Sequence, residues 1–225
     1  MPIRLQKELQ KLKKRILTLG TMVEEHVRMA IQAVQTRDAT LAMKIIDSDS
    51  EIDESEVEVE EECLKLLALH QPVAVDLRFL TAVIKINNDL ERIGDQAVNI
   101  ADRVVTIAKR HPVTVAFDYQ LMGEKTEAML RESLDALVNL DVDLAYKVCL
   151  KDDEVDDMNR EIYDKIKDAI RSYPERVAYL INLLLVSRHL ERIADLATNI
   201  AEEVIYMVEG EISRHKMKEF GVSSQ

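Results

Sequence analysis

Asp89-Leu-Glu-Arg-Ile-Gly-Asp-Gln-Ala-Val-Asn-Ile-Ala-Asp102 recurs as His189-Leu-Glu-Arg-Ile-Ala-Asp-Leu-Ala-Thr-Asn-Ile-Ala-Glu202, 100 residues further on, with nine of fourteen positions identical. A helical core requires only that apolar and polar positions repeat. Here particular polar residues repeat: Glu91/Glu191, Arg92/Arg192, Asp95/Asp195 and Asn99/Asn199. A second region matches at an offset of 103: Asp38-Ala-Thr-Leu-Ala-Met-Lys against Asp141-Val-Asp-Leu-Ala-Tyr-Lys, then Asp49 against Asp152 and Asp53 against Asp156. The chain reads as one unit built twice.

Composition sets the class of that unit. Gly 5, Pro 4 and 4% aromatics, with Ala, Leu, Ile, Glu and Lys dominant, describe an all-α chain. Asp38 and Asp141 each precede a similar apolar pattern and are expected to be N-caps. Pro72 and Pro174 each precede an apolar run and are expected at the first position of a helix. The expected helices cover 3–36, 39–69, 72–110, 113–139, 142–171 and 174–209. They make a first three-helix unit over 1–111, a second over 112–210 and a polar tail over 211–225.

Charge and cysteine usage exclude several functions. A net charge of −12 repels a polyanion, so nucleic acid is not an expected partner. Cys63 and Cys149 are isolated and suit buried thiols. The apolar run Val177–Val186 is too short to span a bilayer, and no secretory signal opens the chain; a cytoplasmic location is expected. The basic cluster Lys7, Lys11, Lys13, Lys14 and Arg15 reads as a solvated face, and Met22, Met29 and Met43 as core filler.

At about 100° per residue, Glu91, Asp95, Asn99 and Asp102 form a stripe along one border of the apolar face of helix 3. Glu191, Asp195, Asn199 and Glu202 repeat it on helix 6. On helix 2, Asp49, Asp53, Glu56 and Glu60 lie in or beside the apolar arc; helix 5 keeps Asp152 and Asp156 but has Asn159 and Tyr163 in the last two places. Acids on a core-facing border are costly unless compensated, and like charges at i, i+4 repel by about 0.2–0.5 kcal/mol per pair. A carboxylate-bridged cation would turn that repulsion into ligation, and all-oxygen donors favour Fe, Mn, Mg or Ca. The competing reading is a solvated stripe, with Arg92 pairing to Asp95 and Arg192 to Asp195. Gly94 on the apolar arc is expected to admit close approach of another helix.

None of His26, His70, His111, His189 and His215 has an acid three residues earlier, so the Glu-x-x-His pattern of di-iron bundles is missing. Neither a P-loop nor a GxSxG is present, and the chain is not expected to be an enzyme.

Gln71-Pro-Val-Ala-Val-Asp-Leu-Arg78, with the two copies of the Leu-Glu-Arg-Ile motif, resembles the PhoU family of phosphate-uptake regulators over almost the whole chain. The resemblance implies two pseudo-symmetric antiparallel three-helix bundles that form a homodimer. It implies negative regulation of phosphate uptake, as a cytoplasmic adaptor between an ATP-binding-cassette phosphate transporter, through its ATPase subunit, and a phosphate-sensing histidine kinase. Membrane contact would be peripheral. It also implies multinuclear metal sites, with iron first and Mn, Zn, Mg or Ca as alternatives. The ligands carried over are Asp49, Asp53, Glu91, Asp95 and Asn99, then Asp152, Asp156, Glu191, Asp195 and Asn199. The rival functions are a metal-storage carboxylate bundle and a metal-free helical docking module. The second unit departs by reading Pro174-Glu-Arg-Val-Ala-Tyr, so the two sites are expected to differ. The sequence displays neither a basic anion pocket nor a glycine-rich nest, and direct sensing of phosphate is not expected.

Overall fold

In a computed structural model, residues 3–113 and 118–210 are described. They form α1 (Ile3–Thr36), α2 (Ala39–His70), α3 (Val75–Ala108), α4 (Tyr119–Asn139), α5 (Val142–Ser172) and α6 (Val177–Glu209), without a strand among the described residues. The expected tail at 211–225, with His215, lies outside the described residues.

Caps account for most of the boundaries. Asp38 accepts from the N–H groups of Thr40 and Leu41, and Asp141 from that of Leu144, as N-caps do. Arg37 and Leu140, 103 residues apart, both take positive φ (54° and 53°) just before those caps. The same tight turn is therefore built in both copies.

Two expected starts are corrected. Helix 3 begins at Val75 rather than Pro72. Gln71 adopts the left-handed conformation and donates its N–H to Leu67 O, closing α2, so Pro72 serves as a stop just beyond the cap. Helix 4 begins at Tyr119 rather than 113, capped by Asp118 accepting from Leu121 N–H. Pro174 opens a single 3₁₀ turn, Pro174–Arg176, before α6.

Each unit is a three-helix bundle: α2 packs on α1 and α3, and α5 packs on α4 and α6. The units join through two like pairs, α3 with α6 and α1 with α4. Both pairs are antiparallel. Lys85 of α3 meets Glu203 of α6 at 3.0 Å, and Arg103 meets Asn182 at 3.5 Å. A single core runs through both units, including Leu12, Ile16, Leu19, Ile86, Leu90, Ile93, Val186, Leu190 and Ile193.

The α1/α4 contact repeats itself across the joint. A β-carbon on Gly20 would lie 2.9 Å from Leu134 Cδ2, and one on Gly123 would lie 2.7 Å from Ile31 Cγ2. Gly20 and Gly123 are 103 residues apart, as are Ile31 and Leu134. Each helix therefore offers a notch to the other's branched side chain.

Of the methionines expected in the core, Met22 and Met29 pack against it, but Met43 is 43% exposed. The basic cluster of α1 is mostly solvated, with Arg15 reaching Glu58 at 2.9 Å and Lys13 donating to Val138 O of α4 at 2.8 Å. Both cysteines are free; burial first, then nearby acids, push their thiols up to about 12.

The two notches are not equally tolerant. Leu134 meets Gly20 with the end of a flexible chain, whereas Ile31 meets Gly123 with a γ-carbon fixed by β-branching. Gly→Ala in a helix gains about 1 kcal/mol of propensity, against about 1–3 kcal/mol for overpacking. Urea denaturation should find Gly123→Ala destabilised by about 1 kcal/mol and Gly20→Ala near neutral. Equal tolerance at both positions would refute the reciprocal notch.

Candidate functional site

The acidic stripes meet between helices. On the first unit, Asp49 leans on α3 at Gly94: a β-carbon there would lie 3.3 Å from Ile52 Cδ1 and 3.9 Å from Asp49 Oδ1. Gly94 thus allows the close approach expected of it. Asp49, Glu91 and Asn99 are half-buried, while Asp53 and Asp95 are exposed.

These acids repel one another. Burial pushes the Asp49 carboxyl up, and Asp53 and Asp95 add to the shift. Glu91 is raised by burial first and then by Asp95, Glu56, Asp53 and Asp49. Asp95 is raised by burial and by Asp53. None of Asp49, Asp53, Glu91 and Asp95 has an ion pair among the described residues. The expected Arg92–Asp95 pair does not form: Arg92 reaches back to Asp89 at 3.2 Å. Helical side chains lean toward the N-terminus, which favours the i−3 partner over the i+3 one.

The second unit keeps the cluster and changes its surroundings. Asp152 is pushed up to about 6, by burial first and then by Asp195, Asp156, Asp153 and Glu191. Glu191 is raised by burial, then by Asp195 and Asp156, against the opposing Arg188 and Arg192. Asp195 is raised by burial and Asp156, opposed by Arg192. Asp156 has a distant cation, Arg160 at 3.8 Å. Asn199, one turn beyond Asp195 on α6, also lines a cleft with Glu56, Glu60 and Glu202.

The donors are therefore hard oxygens in two like-charged groups, which suits a hard cation in chemistry. As the side chains stand, no three His, Cys, Asp or Glu among the described residues are gathered closely enough to hold a metal ion. Ligation would require rotamer changes at Asp53 and Asp95, which exposure permits.

Several contacts were not legible in the sequence. Asn87 donates to Glu56 O at 2.9 Å and to Glu56 Oε1 at 3.1 Å, while at the matching place Ser187 donates to Asn159 Oδ1 at 3.0 Å. Glu203, 3% exposed, is paired with Lys85. Each of these residues looked like an ordinary polar position, and only packing brings the partners together.

The described residues thus form six helices in two like halves, each with an acidic seam between its second and third helices. The PhoU domain family matches residues 16–104 and again 119–204. A phosphate-specific transport system accessory protein PhoU homolog of Aquifex aeolicus is 36% identical, covering 97% of this chain and 100% of its own length. One from Clostridium acetobutylicum is 35% identical, covering 90% and 93%. The crystal structure of PhoU from Pseudomonas aeruginosa has a TM-score of 0.88 at 33% identity, covering 92% of this chain and 99% of that one. The chain belongs to the PhoU family.

The repulsion has a pH signature. The folded pKa of Asp152, about 6, lies above its ordinary value of 3.8, so protonation favours the fold. That stabilisation is complete below about pH 4 and is lost as pH rises through about 6. In chelator, Asp152→Asn should therefore melt higher than the parent at about pH 7.5, with the advantage shrinking by about pH 4.5. A difference independent of pH would show that Asp152 is not strained by its charge.

Proposed function

We propose that this chain is a negative regulator of phosphate uptake and of phosphate-starvation signalling. It works as a non-catalytic homodimeric adaptor in the cytoplasm, between an ATP-binding-cassette phosphate transporter, through its ATPase subunit, and a phosphate-sensing histidine kinase. The observation that carries this reading is similarity over nearly the full length to phosphate-specific transport system accessory proteins. Among the described residues, no helix is long and apolar enough to cross a membrane, which suits peripheral attachment through partners. The exposed Leu69, Val73, Val75 and Leu77 around the α2–α3 turn offer an apolar surface of the kind that partners cover.

The adaptor holds one cation site per unit, with iron as the first candidate. Asp49, Asp53, Glu91, Asp95 and Asn99 supply oxygens on the first, and Asp152, Asp156, Glu191, Asp195 and Asn199 on the second. When bound, the metal supplies positive charge that offsets the repulsion and ties α2 to α3 and α5 to α6. The support is electrostatic: Asp49, Glu91 and Asp95 are raised by burial first and then by neighbouring carboxylates, and they lack an ion pair among the described residues. A second reading draws on the exposure of Asp53 and Asp95: the stripes dock a basic protein surface without metal.

Protein purified without chelator should carry about two or more metal ions per chain, one or more for each unit. Elemental analysis should find that content reduced in Asp95→Ala/Asp195→Ala. A metal-free parent as stable as the double variant would favour docking by charge. The regulatory role is tested separately: a deletion strain should express phosphatase and import phosphate at high rate in rich phosphate, and normal behaviour there would sink it.

A further inference from the structure

The duplication builds two clefts, and their charges have diverged. One, of about 790 Å³, lies among α2, α3 and α6; the other, of about 570 Å³, lies among α3, α5 and α6. They occupy matching places: Glu56, Asn88 and Asp89 in the first stand where Asn159, Arg188 and His189 stand in the second. Glu60 likewise matches Tyr163. The first cleft is lined by four carboxylates against two cations, Lys85 and Arg92. The second is lined by two guanidinium groups, Arg188 and Arg192, against one carboxylate, Glu191.

The cations of the two clefts are also differently engaged. Lys85 is held by Glu203 at 3.0 Å and Arg92 by Asp89 at 3.2 Å. Neither Arg188 nor Arg192 forms an ion pair among the described residues; both act on Glu191, and Arg192 on Asp195, from beyond contact distance. A third guanidinium, Arg103, stands close enough to act on His189 together with Arg188.

We infer that the second cleft is a binding site for a small phosphate-class oxyanion. Guanidinium groups match the paired oxygens of phosphate and bind them with charge-assisted hydrogen bonds. Neutral donors from the two other helices face them. The Asn159 amide and the Tyr163 hydroxyl come from α5, and the Gln96 amide comes from α3. His189 Nδ1 lies 2.9 Å from Gln96 Oε1, an atom that only accepts, so Nδ1 carries a proton there; burial, Arg103 and Arg188 hold the ring neutral, and its Nε2 is an acceptor for the hydrogen of a protonated phosphate. Glu191 on the same lining selects among oxyanions: a carboxylate accepts a hydrogen bond from protonated phosphate and repels fully ionised sulfate. The volume exceeds what one phosphate fills, and the Tyr163 ring and Leu184 supply an apolar wall. Free phosphate and the phosphate of a nucleotide share this chemistry. The preference for phosphate over other oxyanions draws on the proposed regulatory role; the oxyanion assignment rests on the charges alone.

Titration calorimetry of the full chain decides it, with inorganic phosphate, AMP and sulfate as separate ligands, each with and without chelator. Phosphate or AMP should bind saturably and survive chelation. Arg188→Asn/Arg192→Ala, at exposed positions and carrying at 188 the residue found at 88, should weaken binding by about tenfold or more. Asn88→Ala, at the matching place of the first cleft, should leave it unchanged. Phosphate alone, or AMP alone, identifies the source. The inference falls if neither ligand binds, if the double variant binds as the parent does, or if chelation abolishes binding. Equal binding of sulfate overturns the assignment to phosphate. Phosphatase expression in the deletion strain reports on the regulatory role without reference to this cleft, so the two failures are distinguishable.

Discussion

The close approach of α1 and α4 governs the rest of the molecule. At Gly20 and Gly123 neither helix has a side chain, and each receives the branched residue that the other carries in the corresponding place. That reciprocity is what a two-fold relation between duplicated units requires. It brings two bundles, each with its own apolar faces, into one core, and it leaves α3 and α6 lying antiparallel against each other. Because α2 and α5 stay outside this central group of four, the seams they form with α3 and α6 open toward solvent. The acids are placed along those seams.

Such seams are unfavourable as built. Half-burial removes water from Asp49, Glu91 and Asp152, and their nearest charged neighbours carry the same sign. A purely structural stripe would be expected to recruit its arginines. Arg92 turns instead to Asp89, which leaves the first seam uncompensated. The second seam is buried more deeply but has Arg188 and Arg192 beside it. The two halves therefore reach different electrostatic compromises within one architecture.

Much of this was legible in the sequence, and the physical reason differs from feature to feature. The duplication, the six helices and the caps at Asp38 and Asp141 are local, so periodicity and composition suffice to find them. The placing of acids beside the apolar arcs is also local, since rotation along one helix fixes it. Pro72 was misread because proline serves equally to open a helix and to stop one; the left-handed Gln71 before it decides the matter, and backbone conformation is not written in residue type. The Arg92 partner was missed because i+3 and i−3 are equally spaced in sequence but not in side-chain direction. Gly20 and Gly123 passed unremarked because a helical glycine gains meaning only from the residue opposite it.

The basic cleft was the least legible feature, for a related reason. Arg188 and Arg192 belong to a chain with a net charge of −12, and each looks like a surface cation among acids. The cleft exists only once α3 and α5 close on α6 and bring Gln96, Asn159 and Tyr163 around them. Comparison within the chain then becomes informative. A neutral surface drift would be expected to scatter substitutions around both clefts without a common sign. Here Glu56 to Asn159, Glu60 to Tyr163, Asn88 to Arg188 and Asp89 to His189 each remove negative charge or add positive, four changes against one, Lys85 to Leu185, that moves the other way. The first copy holds its cations in ion pairs, while among the described residues Arg188 and Arg192 of the second form none, so what was duplicated was a scaffold and what differs is the sign of the ligand it suits.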